Sequence, residues 1–382
     1  MATRQPDLAR LRVLLTVHHH LERGQGASGS TIVLAEALER RGHAVEVVGL
    51  GLLRRSRGSL FDAVSFPRAV ARLVERRLDR GDLDVIDASS GDLGAVAASR
   101  IHGAPVAVFT RSHGLEHLAD AARRAAATDG ELSLRWRYSL YHGGYRLREV
   151  ARSFTCADGA LLLNDAEEQY VTSALGVPGE RVFRTTPLAG AELEVLSRDE
   201  RRDVLVLGPS SWRKGGDVAT RVLEAVLRAV PSTTATWAGL DDPARTAARL
   251  GDDVAARVRL TGRYDRGEEA ALLASHRVLL FASRFEGLPV TLLEALGAGI
   301  AVVGSDVPGV RDLLGDGAGV LVAAGHTEGF VVAVRALLAD PARRHLCAAL
   351  GVATAAALRS GPVVDRLEGV YRTVLARKRP GP

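Results

Sequence analysis

The sequence predicts an α/β protein made of two doubly wound, Rossmann-like domains facing across a cleft. Its 382 residues suffice for two cores, at about 100–200 residues per domain. Hydrophobic residues make up 47%, charged ones 25% and aromatics 4%, the balance of an ordinary globular chain. Short apolar runs alternate with stretches of helical period, and the pattern starts afresh near the middle of the chain.

In the first half, strands are expected near residues 11–17, 44–50, 83–87, 105–110, 159–163 and 181–184, with a helix over 30–42. Runs this continuously apolar mark parallel strands covered on both faces. Segment 187–202 opens with Pro187 and closes in a charge cluster, so it reads as a linker. The second half has expected strands near 203–208, 233–239, 256–261, 277–282, 300–304 and 318–322. A last helix carries Val363, Val364, Leu367, Val370, Tyr371, Val374 and Leu375 on one face and is expected to dock. The domains expected are therefore 1–190 and 203–361, followed by a helix over 362–377 whose return to the first domain periodicity leaves open.

Fifty Lys and Arg face forty-five Asp and Glu, a net charge of +5. The excess is diffuse, whereas a nucleic-acid footprint needs basic residues clustered on one face, so no nucleic-acid partner is expected. Forty-eight of these cations are Arg, and Lys214 and Lys378 are the two Lys. In such a chain a Lys within an ordered segment marks a place that wants a compact point charge. Lys214 lies in such a segment; Lys378 lies in a tail expected to fray. Cys156 and Cys347 have no metal-like spacing and read as buried thiols. No uncharged apolar run reaches the ~18 residues of a spanning helix, and the first residues lack the apolar centre of a signal peptide, so a cytoplasmic location is expected. Segment 135–152 interleaves Arg with Trp136, Tyr138, Tyr141 and Tyr145. It reads as a helix with a solvated face, with an acceptor groove or a membrane surface as alternatives.

The motif that says most about chemistry runs from Phe285 to Gly299, between two expected strands. Pro289 suits a first helical position, so a helix is expected over 289–297. Its amino end would offer N–H groups at Gly287, Leu288 and Val290 to an anion. Glu286 precedes that end and Glu294 lies inside the helix, about 10 Å apart by helical rise, with the anion between them. Each carboxylate would accept charge-assisted hydrogen bonds from a pair of hydroxyls. Arg213 and Lys214 follow the first strand of the second half, where an open sheet carries ligand contacts; they could hold a diphosphate and stabilise its departing charge. Gly262, Arg263 and Tyr264 follow their own strand and are expected to line a base pocket.

Gly24-Gln-Gly-Ala-Ser-Gly29 matches G-x-G-x-x-G, but six residues separate it from the strand and no acidic residue ends the next one. A looser loop that brings Gly26 and Gly29 near a phosphate or acceptor is expected. His113 follows its strand closely and is expected to face the cleft. His18, His19 and His20 are too crowded for two of them to share a metal. With Glu116 they are the acceptor-side candidates, and no metal site is expected.

Taken together, these residues resemble those of retaining glycosyltransferases of the GT-B fold, family 4. The resemblance rests on the glycine loop, His113-Gly114, Lys214-Gly215, the E-x7-E pair Glu286 and Glu294, and the segment Gly309–Val322. It implies an N-terminal acceptor domain and a C-terminal nucleotide-sugar domain. It also implies that Glu286 contacts the donor sugar, that Glu294 holds the ribose, and that His113, Arg213, Lys214 and Glu286 are catalytic. No cofactor or metal is implied, with Arg and Lys replacing a cation. Pro209 stands where the family often has an Arg, so Arg213 takes that role or the contact is missing. Thr186-Pro-Leu-Ala-Gly190 replaces a common Asn-Gly turn.

The reaction expected is transfer of a sugar from a UDP- or GDP-sugar to a small-molecule, lipid or polysaccharide acceptor. The rivals are a nucleotide-sugar epimerase, a silent sugar-nucleotide-binding subunit, and a glycoside hydrolase, which would leave the basic loop unexplained.

Overall fold

The computed structural model describes residues 10–23, 26–53, 59–189 and 202–379. The chain divides into two compact units, Met1–Gly190 with Ser360–Pro382, and Ala191–Arg359.

The first unit holds a six-stranded parallel sheet of β1 (Arg12–Thr16), β2 (Ala44–Val48), β3 (Val85–Ser89), β4 (Ala107–Arg111), β5 (Gly159–Leu162) and β6 (Val182–Arg184). Its order is β2-β1-β3-β4-β5-β6. Alternate residues feed two cores, as period-two geometry requires. Val13, Leu15 and Val85 face Leu34 and Leu38 of the helix Gly26–Arg40 on one side. Leu14, Ile86 and Val108 face Phe66, Val70 and Val74 of the helix Ser59–Arg80 on the other. All six strands lie where the apolar runs predicted them.

The helix expected over 30–42 starts earlier, at Gly26. Gly26 and Gly29 are therefore in its first turns and not in a loop, while Gly24 and Gln25 lie outside the described residues. Gly29 has a packing reason, because a Cβ there would meet the Arg23 carbonyl oxygen at 2.4 Å. Leu188, expected in the linker, is buried in the core of the first unit, and Arg202 already belongs to a strand; residues 190–201 are outside the described set. Segment 135–152 forms the helix Trp136–Leu140, a π-helical turn Tyr141–Arg146 and the start of the helix Leu147–Cys156. Trp136 and Leu140 are exposed at 68% and 65%, so apolar as well as charged groups face solvent there.

The last helix spans Ser360–Lys378 and buries Val363, Val364, Leu367, Tyr371, Val374 and Leu375 in the core of the first unit. Lys378 does not fray. Its ammonium donates to the Ile101 and His102 carbonyls at 2.8 and 3.1 Å and to Asp158 at 2.9 Å. Together with the helix Pro341–Ala357 it makes a stretch that is long and apolar enough, by composition, to cross a bilayer. The stretch is broken between the two helices, and the second spends its apolar face on the first unit's core.

The second unit holds β7 (Arg202–Leu207), β8 (Ala235–Ala238), β9 (Val258–Leu260), β10 (His276–Phe281), β11 (Ala301–Ser305) and β12 (Val320–Val322). All pairs are parallel, in the order β12-β11-β10-β7-β8-β9. Val204, Val206, Val278 and Leu280 pack on Val218, Val222 and Val226 of the helix Gly216–Ala229 and on Phe330 and Val334 of the helix Thr327–Ala339.

Strand order fixes where a ligand can sit. In a doubly wound sheet the connections leave in opposite directions at one place, opening a crevice beyond the carboxyl ends of the two strands there. That place lies between β1 and β3 in the first unit and between β7 and β10 in the second.

Candidate active site

In the second unit, the loops that follow β7 and β10 carry the two motifs singled out in the sequence. Lys214 donates to Glu286 Oε1 at 2.6 Å and Arg213 to Oε2 at 3.3 Å. Glu286 is 7% exposed. Burial pushes its carboxyl up, but the Lys214 and Arg213 charges and hydrogen bonds from Lys214 and Ser283 pull further, leaving it below the usual carboxylate range. The Lys214 ammonium also stands 5.4 Å from the Phe281 ring centroid, a cation–π approach.

The loop is held by backbone constraints. Gly215 has φ 66 and a Cβ there would meet the Ala282 carbonyl oxygen at 1.9 Å, so only glycine lets the loop lie this close to the end of β10. Arg284 was not singled out in the sequence, yet it fastens this loop. Its guanidinium donates to both Asp217 oxygens at 2.5 and 2.8 Å and to the Trp212 carbonyl at 3.1 Å. Its backbone N–H bonds to the Arg213 carbonyl at 2.8 Å. A lone Arg among forty-eight carried no signal of this.

The helix after Glu286 spans Val290–Gly297, one residue shorter than expected, with Pro289 as its extended N-cap. Proline still sits where a missing N–H costs nothing. Gly309 lets the following segment approach this helix head, since a Cβ there would lie 1.6 Å from the Gly287 carbonyl oxygen. Glu294 is buried and lies within electrostatic reach of Tyr264, whose phenol is raised by burial and by Glu269 and Glu294. Gly262 accepts from the Gly239 N–H at 2.9 Å, and Tyr264 packs against Gly239; Arg263 is exposed. Glu286, Lys214 and Arg213 are thus brought together, and Glu294 is joined to Tyr264.

In the first unit, His113 follows β4. Burial and the nearby Arg111 charge push its imidazole down to about 4, and its Nε2 is buried without a hydrogen-bond partner. Arg111 donates through Nε to Asp87 at 3.0 and 3.1 Å, and Tyr371 donates to the same carboxylate. Glu116 accepts from Ser90 at 2.9 Å and from Arg146 at 3.0 Å. The three histidines diverge. His18 pairs through Nδ1 with Asp92 at 3.0 Å, whereas His19 and His20 are exposed; His20 lines a cavity of about 420 Å³ with Leu21, Val48 and Leu52. Asp92, Arg111 and Arg146 were missed because each is charged, unremarkable in sequence, and significant only through its neighbours. Among the described residues no group of three His, Cys, Asp or Glu has the arrangement to hold a metal ion.

Residues 201–340 match the family model described as glycosyl transferases group 1. The chain is 29% identical over 240 residues to alpha-D-kanosaminyltransferase of Streptomyces kanamyceticus, an alignment covering 57% of this chain and 61% of that relative. It is 26% identical over 340 residues to phosphatidyl-myo-inositol mannosyltransferase of Mycolicibacterium smegmatis, covering 82% and 81%. Among solved structures, sucrose-phosphate synthase of Thermosynechococcus elongatus superposes with a TM-score of 0.74 at 18% identity, covering 96% of this chain and all (100%) of that one. Anabaena HepE, solved with UDP-glucose, gives 0.66 at 14% identity, covering 95% and 99%. Residues 201–340 thus resemble a glycosyltransferase domain, and the two-domain α/β fold matches those of GT-B glycosyltransferases.

Proposed function

We propose that the protein transfers a sugar from a nucleotide diphosphate sugar to an acceptor hydroxyl with retention at the anomeric carbon. The observation that carries this reading is the meeting of Lys214 and Arg213 with the buried Glu286 at the β7/β10 switch point. Two cations and the amino end of the helix Val290–Gly297 suit a diphosphate, whose negative charge grows as it leaves. Glu286 then accepts hydrogen bonds from sugar hydroxyls and Glu294 from the ribose, with Gly262, Arg263 and Tyr264 at the base. His113, neutral at ordinary pH, keeps an unpaired Nε2 for a sugar hydroxyl or a phosphate. Names among the relatives and neighbours, a mannosyltransferase and a protein crystallised with UDP-glucose, support a UDP- or GDP-sugar as donor.

The acceptor hydroxyl attacks on the face that the diphosphate leaves. The new bond joins the acceptor oxygen to the anomeric carbon, the bond to the diphosphate oxygen breaks, and that oxygen takes the hydroxyl proton. The side chains of this chain position and neutralise, and Arg213 and Lys214 fill the role a metal ion plays elsewhere. The first unit is the acceptor side, and the reading includes a cytoplasmic location.

The test is a thermal-shift panel of UDP, GDP, ADP and their sugars, followed by incubation of the stabilising donor with and without polyols. Stabilisation by one nucleoside diphosphate and formation of a retained-configuration glycoside are expected. Isomerised donor sugar would point to an epimerase, and binding without turnover to a silent subunit.

A further inference from the structure

The second sheet carries a cavity at the end opposite its switch-point loops. Asp203 is the second residue of β7 and Arg277 the second of β10, side by side in the register that pairs His276 with Arg202. Together with Ser232, just before β8, and with Val332, Arg335 and Leu338 of the helix Thr327–Ala339, they line a space of about 670 Å³. That volume is ordinary for a small-molecule site. Its walls are braced. Asp203 accepts from the Thr234 N–H at 2.8 Å and from Arg277 Nη1 at 2.8 Å, while Arg257 Nη1 donates to the Leu227 and Pro231 carbonyls at 2.7 and 3.0 Å. At about 3.3 Å per residue, the strand alone sets Asp203 roughly 15 Å from the loop that carries Lys214.

Donors are left over here. Arg277 Nε is buried without a hydrogen-bond partner, a costly state for a charged group, and among the described residues no ion pair holds Arg335. A guanidinium presents its N–H groups as a planar fork that matches a phosphate or carboxylate. The rest of the lining is apolar, and Val332 is exposed at its rim. We propose that this cavity binds a small organic oxyanion, a phosphate or carboxylate with an apolar body. Arg277 and Arg335 take the oxyanion, Ser232 adds a hydroxyl donor, and Val332 and Leu338 cover the body. Asp203 offsets one of the two cations, so a small anion suits the site and a polyanion does not. The site lies within the second unit and shares no residue with the contacts proposed above for sugar transfer.

Calorimetry on the full chain tests this, with phenyl phosphate and phenylacetate as probes. Inorganic phosphate lacks the apolar body and benzyl alcohol lacks the charge, so these two serve as references. The titrations use Lys214→Ala, which impairs the other anion site of this unit. One probe per chain should bind, about tenfold tighter than either reference, and the tighter of the two probes identifies the head group. On that background Arg335→Ala should weaken the probe about tenfold. Val332→Ser should weaken both aromatic probes and leave inorganic phosphate unchanged. Arg335 and Val332 are exposed, so neither substitution should move the thermal midpoint. Arg335→Ala should weaken one site in the otherwise unaltered protein as well, which keeps the test valid if Lys214→Ala does not fold. Failure of both probes to bind, binding indifferent to Arg335→Ala, or inorganic phosphate held as tightly as phenyl phosphate would overturn the proposal.

Discussion

The Tyr371 hydroxyl donates to Asp87, joining residues 284 positions apart through the docking of the last helix on the first sheet. Asp87 also holds Arg111, and all three side chains are buried. The Tyr371 phenol is raised well above its ordinary value by burial and by the Asp87 charge, so it remains a donor at any working pH.

Removing one member of this trio should have graded effects. Tyr371→Phe loses one hydrogen bond to a charged group, a cost of about 1.5–3 kcal/mol. Asp87→Asn leaves the Arg111 guanidinium buried without its counter-charge, a cost of about 3–5 kcal/mol. Urea unfolding of the two variants checks the order; equal costs would contradict it.

Lys214→Ala should reduce turnover by about 10²–10³-fold, the usual loss when one charge-stabilising group is removed, and lower the thermal midpoint, because the buried Glu286 keeps only Arg213 as its counter-charge. It also removes the main attraction that lowers Glu286 against its burial. The acid limb of the pH–rate profile should therefore move upward in pH. A profile scan of the variant measures both effects.

Arg284→Ala should loosen the segment from Trp212 to Asp217 and weaken UDP or GDP binding by about tenfold, a loss of about 1.4 kcal/mol, read by calorimetry. Asp217 carries a pH signature of the same contact. Burial raises its carboxyl, but Arg284 pulls it down to about 2 from its ordinary 3.8. The folded state therefore releases this proton more readily than the unfolded one, so its stabilisation is complete above pH 4 and is lost as pH falls towards 2. Asp217→Asn should flatten that part of the stability curve.

His113 is held down to about 4 against an ordinary 6.5. Between those values the unfolded chain binds a proton that the folded chain refuses, so stability falls as pH drops from 6.5 to 4. His113→Gln should remove this contribution, and chemical denaturation at pH 7, 5.5 and 4 reads it directly.

Gly309→Ala places a methyl group where the Gly287 carbonyl oxygen lies 1.6 Å away. One of the two segments must shift, so the variant should lose thermal stability and donor-induced stabilisation together.

How much of this was legible in the sequence varies with distance along the chain. All twelve strands stood where apolar runs put them, because a strand covered on both faces needs a local run of apolar residues and nothing more. The loops bearing Lys214 and Glu286 could be found as well, since glycine and proline mark such turns through their own backbone chemistry. Helix starts were less exact: Gly26 and Gly29 are poor helix formers, so their inclusion in the helix Gly26–Arg40 reflects packing against Arg23 more than propensity. Lys378 was expected to fray because it is near the end of the chain, yet the carbonyls that hold it belong to residues 101 and 102.

By itself, the sequence determined the two α/β units, the strands in each, and which loops carry unusual chemistry, since each rests on neighbours a few residues apart. Tertiary structure alone decided that Lys214 meets Glu286, that His18 meets Asp92, that Arg284 clamps the loop before it and that Tyr371 returns to Asp87. These pairings depend on which strands lie side by side, and strand order comes from how helices cover the sheet, a global property that no local window contains.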